Sequence, residues 1–181
     1  MIGSDYIIST ERLGLRRWRE SDEAPFIAMN RDPTVMEFFP TLLSAEETRN
    51  SIQRIDLSFR QYGYGLFAVE KRSTQEFIGF TGFSSPRFES WFTPCIEIGW
   101  RYKSAVWGNG YATEAAAACL EYGFQTLDFD KVFSFTSILN VRSENVMKRI
   151  GLTKIGEFDH PKIEQGHALC RHVLYGVKAG Q

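Results

Sequence analysis

The 181-residue sequence has three cysteines, Cys95, Cys119 and Cys170, and no Cys-x-x-Cys pair. An odd, widely spaced set excludes a disulfide framework, a zinc ribbon and a redox dithiol. An excess of either charge is missing as well: 21 basic against 22 acidic residues leave a formal net charge of −1. No global field therefore draws the chain to a phosphate backbone or an anionic bilayer, and neither nucleic acid nor membrane is expected as a partner. No apolar run approaches the roughly 18 residues of a membrane span. Met1 to Ile8 lacks the basic segment and long apolar stretch of a secretory leader, so a reduced, cytoplasmic protein is expected. Linkers rich in Pro, Gly or Ser, low-complexity segments and internal repeats are also absent, and residues 1–181 read as a single domain.

What is present is an ordinary globular composition, 43% hydrophobic, 14% aromatic and 24% charged, so no staple is needed to form a core. Leu13 and Leu15 alternate with polar neighbours as in a strand, and Ser21 and Asp22 offer an N-cap to a short helix carrying Phe26 and Ile27. Ser44-Ala-Glu-Glu47 is a capping box, followed at helical spacing by Ile52, Ile55, Phe59 and Tyr62 and stopped by Gly63. The period then changes to two. Leu66 to Val69 and Phe77 to Phe83 read as an antiparallel hairpin, and Cys95 to Tyr102 as a strand with Ile96, Ile98, Trp100 and Tyr102 on one face and Glu97 on the other. A helix from near Gly110 carries an apolar stripe from Ala112 to Leu127. Val132 to Leu139 reads as a strand, Ser143 to Ile150 as a short helix ended by Gly151, and Leu152 to Phe158 and Ala168 to Val177 as further strands. The strand, Gly-rich loop, helix and strand in the centre form a βαβ unit, for which parallel strands are expected.

Trp107-Gly-Asn-Gly-Tyr-Ala-Thr-Glu114 lies at the start of that helix. Two glycines in three positions let backbone N–H groups face a ligand, and the helix aims its positive end at the same point, which suits a phosphate or pyrophosphate as well as a tight structural turn. A Walker A loop would need Lys-Ser/Thr after its last Gly. A dinucleotide fingerprint would need a small residue where Thr113 stands, and an acid after the next strand, whereas Asp128 and Asp130 precede it.

In order along the chain, Cys95-Ile-Glu-Ile-Gly-Trp, Trp-Gly-Asn-Gly-Tyr-Ala-Thr-Glu-Ala, and Asn140-Val-Arg-Ser-Glu-Asn-Val-Met-Lys-Arg-Ile-Gly-Leu152 resemble the GNAT N-acetyltransferase superfamily. They are most similar to the branch that includes the ribosomal-protein N-terminal acetyltransferases, which the opening Thr10 to Arg16 and closing Arg171 to Tyr175 also resemble. The resemblance implies an α+β fold: a twisted mixed sheet of about seven strands, splayed at the fourth and fifth, flanked by helices, with acetyl-CoA in the cleft and no metal. It implies that Ile98, Gly99 and Trp100 present backbone to the pantetheine, and that the N–H groups of Trp107, Gly108, Asn109, Gly110, Tyr111 and Ala112 hold the pyrophosphate. Asn140 would hydrogen-bond the pantetheine arm, with Asn145 a further candidate.

The reaction so implied needs a base to deprotonate an amine acceptor and a proton donor for the departing thiolate. Glu97 is the candidate base, acting directly or through water, since a desolvated carboxylate has a raised pKa; the alternative is an ion-paired strand carboxylate. Ser143 is the candidate acid and equally a candidate helix N-cap. The chain departs from the superfamily pattern at Ala105, where many members carry Arg or Gln, and in having no Tyr near the short helix. His160, His167 and His172 lack metal-ligand spacing. Arg16, Arg17 and Arg19 read as a solvated strand edge. The helical region from Phe26 to Tyr62 and the aromatic loop from Phe88 to Phe92 are expected to cover the acceptor side, with Glu37, Glu46 and Glu47 able to attract a cationic acceptor or to cap and solvate helices. A non-catalytic acyl-CoA-binding module and a nucleotide-binding oxidoreductase are the alternatives. A homodimer is compatible with this reading, its second subunit coming from another copy of the chain.

Overall fold

The computed structural model describes residues 5–180. Met1 to Ser4, half of the segment that reads as lacking a leader, lie outside the described residues. In chain order the elements are β1 (Ile8–Ser9), β2 (Leu13–Arg16), α1 (Glu23–Asn30), α2 (Ala45–Tyr62), β3 (Leu66–Lys71), β4 (Phe77–Ser84), β5 (Glu97–Tyr102), α3 (Tyr111–Gln125), β6 (Lys131–Ser137), α4 (Val141–Arg149), β7 (Thr153–Asp159) and β8 (Arg171–Lys178).

The strands form one mixed sheet of eight, in the order β1-β2-β3-β4-β5-β6-β8-β7. Eight strands replace the expected seven because Ile8–Ser9, too short to show a period, pairs with β2. All neighbours are antiparallel except β5 and β6, the strands joined through α3. That parallel pair meets only at Glu97 and Phe133. Beyond it the two strands part, so the splay falls between the fifth and sixth strands once β1 is counted.

Local chemistry explains the ends of the elements. Ser44 Oγ accepts from the Glu47 amide while the Glu47 carboxylate accepts from the Ser44 amide, closing the capping box that starts α2. Gly63 at φ 77° ends it in the left-handed region. The apolar stripe of α3 buries Ala115, Ala116, Cys119 and Leu120 against Ile98, Tyr102 and Phe83. Small side chains there let the helix lie close over β4 and β5. A second cluster joins Phe26, Met29 and Val35 to Ala68, Phe77 and Phe80. A third joins Phe92, Phe133, Phe158 and Leu174 beyond the splay. The largest cluster runs under both sides of the gap, from Leu13, Phe67 and Ile98 to Val132, Val173 and Tyr175, and ties the two parts of the sheet together where the ladder is interrupted.

Candidate active site

Strand alternation decides which backbone groups face the gap. The Phe83 amide donates to Gly65 O, which turns the odd residues of β4 toward β3 and its even residues toward β5. Glu97, Gly99 and Arg101 are therefore bonded to β4, and Ile98, Trp100 and Tyr102 turn their backbone toward β6. The Ile98 carbonyl accepts from Ser134 Oγ at 2.9 Å and the Tyr102 carbonyl from Trp107 Nε1 at 3.0 Å. No side chain closes Trp100 among the described residues, so its N–H and C=O stay on the gap. Gly99 thus differs from expectation: its backbone belongs to the β4 ladder, and what it contributes is space. A Cβ added there would meet only Glu97 Oε1, at 3.9 Å.

The loop before α3 is built to present amides. Gly108 and Gly110 sit at φ 80° and 78°, a region that favours glycine. Asn109 Nδ2 donates to the carbonyls of Val106 and Trp107, closing the loop on itself. The first intrahelical bond runs from the Glu114 amide to Gly110 O, so the amides of Tyr111, Ala112 and Thr113 begin the helix without an intrahelical partner. Trp107 is a correction: its amide already donates to Ser104 O. Ala105 is exposed. Cations reach this end from elsewhere. Arg12 pairs with Glu114 and donates to Asn109 O, and Arg142 lies 4.4 Å over the Trp107 ring while pairing with Glu37.

Glu97 points to the face opposite Ile98. Burial pushes its carboxyl up to about 7, against a hydrogen bond from Ser84 Oγ at 3.2 Å that favours the charged form. Ser143 Oγ accepts from Trp100 Nε1 at 3.0 Å. Since the indole can only donate, the Ser143 O–H is left for another acceptor. Ser143 is not the helix cap. The short helix starts at Val141, two residues before the expected position, and its N-cap is Asn140, whose Oδ1 accepts from the Ser143 amide. Asn140 Nδ2 donates to Thr136 Oγ1. Its side chain is thereby engaged at both ends, while Asn145 lines the cleft half-buried. Tyr102 bonds Thr81 Oγ1 inside the core, where burial raises its pKa.

These groups share one cleft of about 1210 Å³. It is lined by the glycine loop before α3, by Glu97, Gly99, Trp100 and Arg101 of β5, and by Asn140, Ser143 and Asn145 of the capped helix end.

A sequence profile of the acetyltransferase (GNAT) domain family matches residues 12–153. The chain belongs to the GNAT acetyltransferase family. It is 34% identical over 144 residues to the uncharacterized protein YkkB of Bacillus subtilis, covering 79% of this chain and 83% of that protein. The crystal structure of a GNAT-family acetyltransferase from Bacillus anthracis superimposes with a TM-score of 0.78 at 26% identity, over 96% of this chain and 99% of the other. Mycobacterium smegmatis RimJ, solved in complex with CoA-disulfide, shares the fold with a TM-score of 0.74 at 19% identity, over 92% of this chain and 82% of that one. Membership in an acetyltransferase family sets aside the binding module and the oxidoreductase.

In this GNAT acetyltransferase the far walls of the cleft differ from expectation. Of the helical region, the stretch from Thr34 to Pro40, with Phe38 and Phe39, reaches the cleft. The loop from Phe88 to Phe92 does not: Phe88 and Phe92 pack behind Phe135 and Phe158, and Trp91 is exposed. Phe135, His160 and His172 line the cleft in front of it. The rings of His160 and His172 lie 5.0 Å apart, and burial holds His160 down at about 4. Glu47 is spent on its cap and Glu37 on Arg142. Arg16, read as solvated, is buried between Asp22 and Glu70, and Arg17 and Arg19 pair with Asp56 and Glu70. Arg101 was missed. The period of two on β5 places it on the face of Glu97, which was the signal available.

Proposed function

We propose that this GNAT enzyme moves the acetyl group of acetyl-CoA to a primary amine by direct attack on the thioester. The observation that carries the reading is the convergence on one cleft of a backbone anion site, an uncommitted strand residue, a carboxyl near neutrality and a free hydroxyl. The RimJ neighbour, which binds CoA as a disulfide, supports the same cosubstrate.

The pyrophosphate would sit on the amides that open α3, and the pantetheine would pair with Trp100 in the gap. Glu97, ionised above about pH 7, takes a proton from the acceptor ammonium directly or through water. The amine nitrogen bonds the thioester carbon and yields a second proton to Glu97, which has passed the first to water, and the C–S bond breaks as the tetrahedral intermediate collapses. Ser143 hydrogen-bonds the departing sulfur and passes it a proton that solvent replaces. Trp100 holds the Ser143 oxygen, so one residue orders both the cosubstrate arm and the acid. The same reading takes residues 1–181 as one catalytic domain working in the cytoplasm. Following free CoA thiol with acetyl-CoA and a panel of amines and N-terminal peptides tests it; no release with any acceptor overturns it.

A further inference from the structure

The acceptor side of the cleft contains a guanidinium without a counter-ion. Arg101 projects from β5 on the same face as Glu97 and Gly99 and packs against the rings of Phe39, at 4.1 Å, and Phe80, at 5.5 Å. Its Nη1 donates to Asn30 Oδ1, and Asn30 Nδ2 in turn donates to Thr48 Oγ1, which anchors one edge of the fork to α1 and α2. Nε is buried and has no partner. No carboxylate pairs with Arg101 among the described residues, and burial alone pushes its pKa down to about 10. Glu97 does not reach it: at strand rise, four residues separate the two Cα atoms by about 13 Å.

Withdrawing a cation even partly from water without a partner is costly, and this chain closes its buried arginine, Arg16, with two carboxylates. A guanidinium left open on a ligand cleft is therefore a binding group whose partner arrives with the substrate. We propose that Arg101 is a specificity residue that receives an anionic group, a carboxylate, carried by the amine acceptor. This rests on the acyl-transfer reading above and adds the acceptor's chemical class. A carboxylate fits because Nη2, which has no partner among the described residues and is not sealed off as Nε is, offers it a charge-assisted N–H on the edge of the fork that Asn30 leaves free. Asn30 and the two rings hold that fork in place before the substrate binds. The open space over Gly99 lets one molecule lie along the strand, its ammonium toward Glu97 and its anionic end toward Arg101. Two sources present this chemistry, a free amino acid and a peptide N-terminus followed by an acidic residue.

The test uses acceptor pairs that differ only in carboxylate against carboxamide: 4-aminobutyrate with its amide, and alanyl-glutamate amide with alanyl-glutamine amide. In the wild type, kcat/KM for the carboxylate member exceeds that for the carboxamide by about tenfold or more in at least one pair, and the pair that discriminates identifies the source. Arg101→Gln brings the ratio toward one, and Arg101→Lys recovers part of it. A wild-type ratio at or below one in both pairs overturns the proposal. So does an Arg101→Gln protein that keeps the ratio, or one that loses acetyl-CoA affinity instead. Calorimetric titration of the same pairs into the wild-type protein with CoA reads the preference without turnover. Tighter binding of the carboxylate member with no CoA release from any acceptor overturns acyl transfer and leaves Arg101 its role, whereas equal binding removes that role.

Discussion

Arg16 on β2 and Arg101 on β5 both leave bulk water, and their surroundings differ in kind. Arg16 is held by Asp22 through two nitrogens and by Glu70 through two, and Glu70 also accepts from the Tyr6 hydroxyl. Arg101 has one side-chain amide, two aromatic rings and an unpartnered Nε. A buried ion pair with every donor used is a structural tie between β2, β3 and the turn before α1. A half-buried cation with donors to spare, on the wall of a cleft, is what the proposed binding role requires. Under the proposed function the difference separates the half of the sheet that keeps the fold from the half that would meet substrate.

The largest effect that would break this comparison is on stability. Asp22→Ala leaves Arg16 buried with one carboxylate and should cost about 3–5 kcal/mol in denaturant unfolding. A loss below about 1 kcal/mol would mean that the pair is no tie. Gly99→Leu probes the other half. A Cβ there has open space, so the unfolding midpoint should stay close to the wild type while the longer side chain fills the acceptor side of the cleft, raising KM for the amine by about tenfold or more with acetyl-CoA affinity by calorimetry little changed. A lowered unfolding midpoint, or an unchanged KM for the amine, would contradict that placement. Arg101→Gln should change stability by about 1 kcal/mol or less, since losing the Asn30 bond is offset by burying no charge. A cost like that of Asp22→Ala would make Arg101 structural. The smallest effect is expected at Trp100→Phe, which removes the bond to Ser143 and should lower kcat by about threefold, about 0.6 kcal/mol and within the range of one hydrogen bond, with acetyl-CoA affinity little changed.

Much of this architecture was legible in the residues, because the signals were local. The capping box at Ser44, the stop at Gly63, the hairpin of β3 and β4 and the loop before α3 each depend on neighbours within a few positions. Readings failed where the deciding contact is distant or where two residues compete for one role. Of three arginines in four positions, Arg17 and Arg19 are exposed as read, whereas Arg16 is buried by Glu70, which arrives from 54 residues away. Asn140 and Ser143 are both good caps, and the backbone turn that selects Asn140 is set by the end of β6. Phe88 and Phe92 look like a specificity loop, but the aromatic cluster beyond the splay absorbs them. In the site, the glycines and Glu97 stood out by type and spacing. Arg101 did not, since a lone charged residue on a strand looks ordinary until its counter-ion proves to be missing.

The proposed acyl transfer rests most on Glu97 as its base. Its raised pKa has two consequences of fixed sign. Its contribution to stability is complete below about pH 4.5 and is lost as pH rises through about 7, and its capacity to accept a proton runs the opposite way. The direct measurement is kcat/KM against pH, with saturating acetyl-CoA and an acceptor whose own pKa lies well below 6; such an amine arrives unprotonated, so the inflection reports Glu97 taking the proton that nitrogen releases on attack. The wild type should rise about tenfold per pH unit at low pH and level off near 7, and Glu97→Gln should be slow and flat across the range while still binding acetyl-CoA. A wild-type profile with no inflection near neutrality, or a Glu97→Gln protein as active as the wild type, would contradict the mechanism.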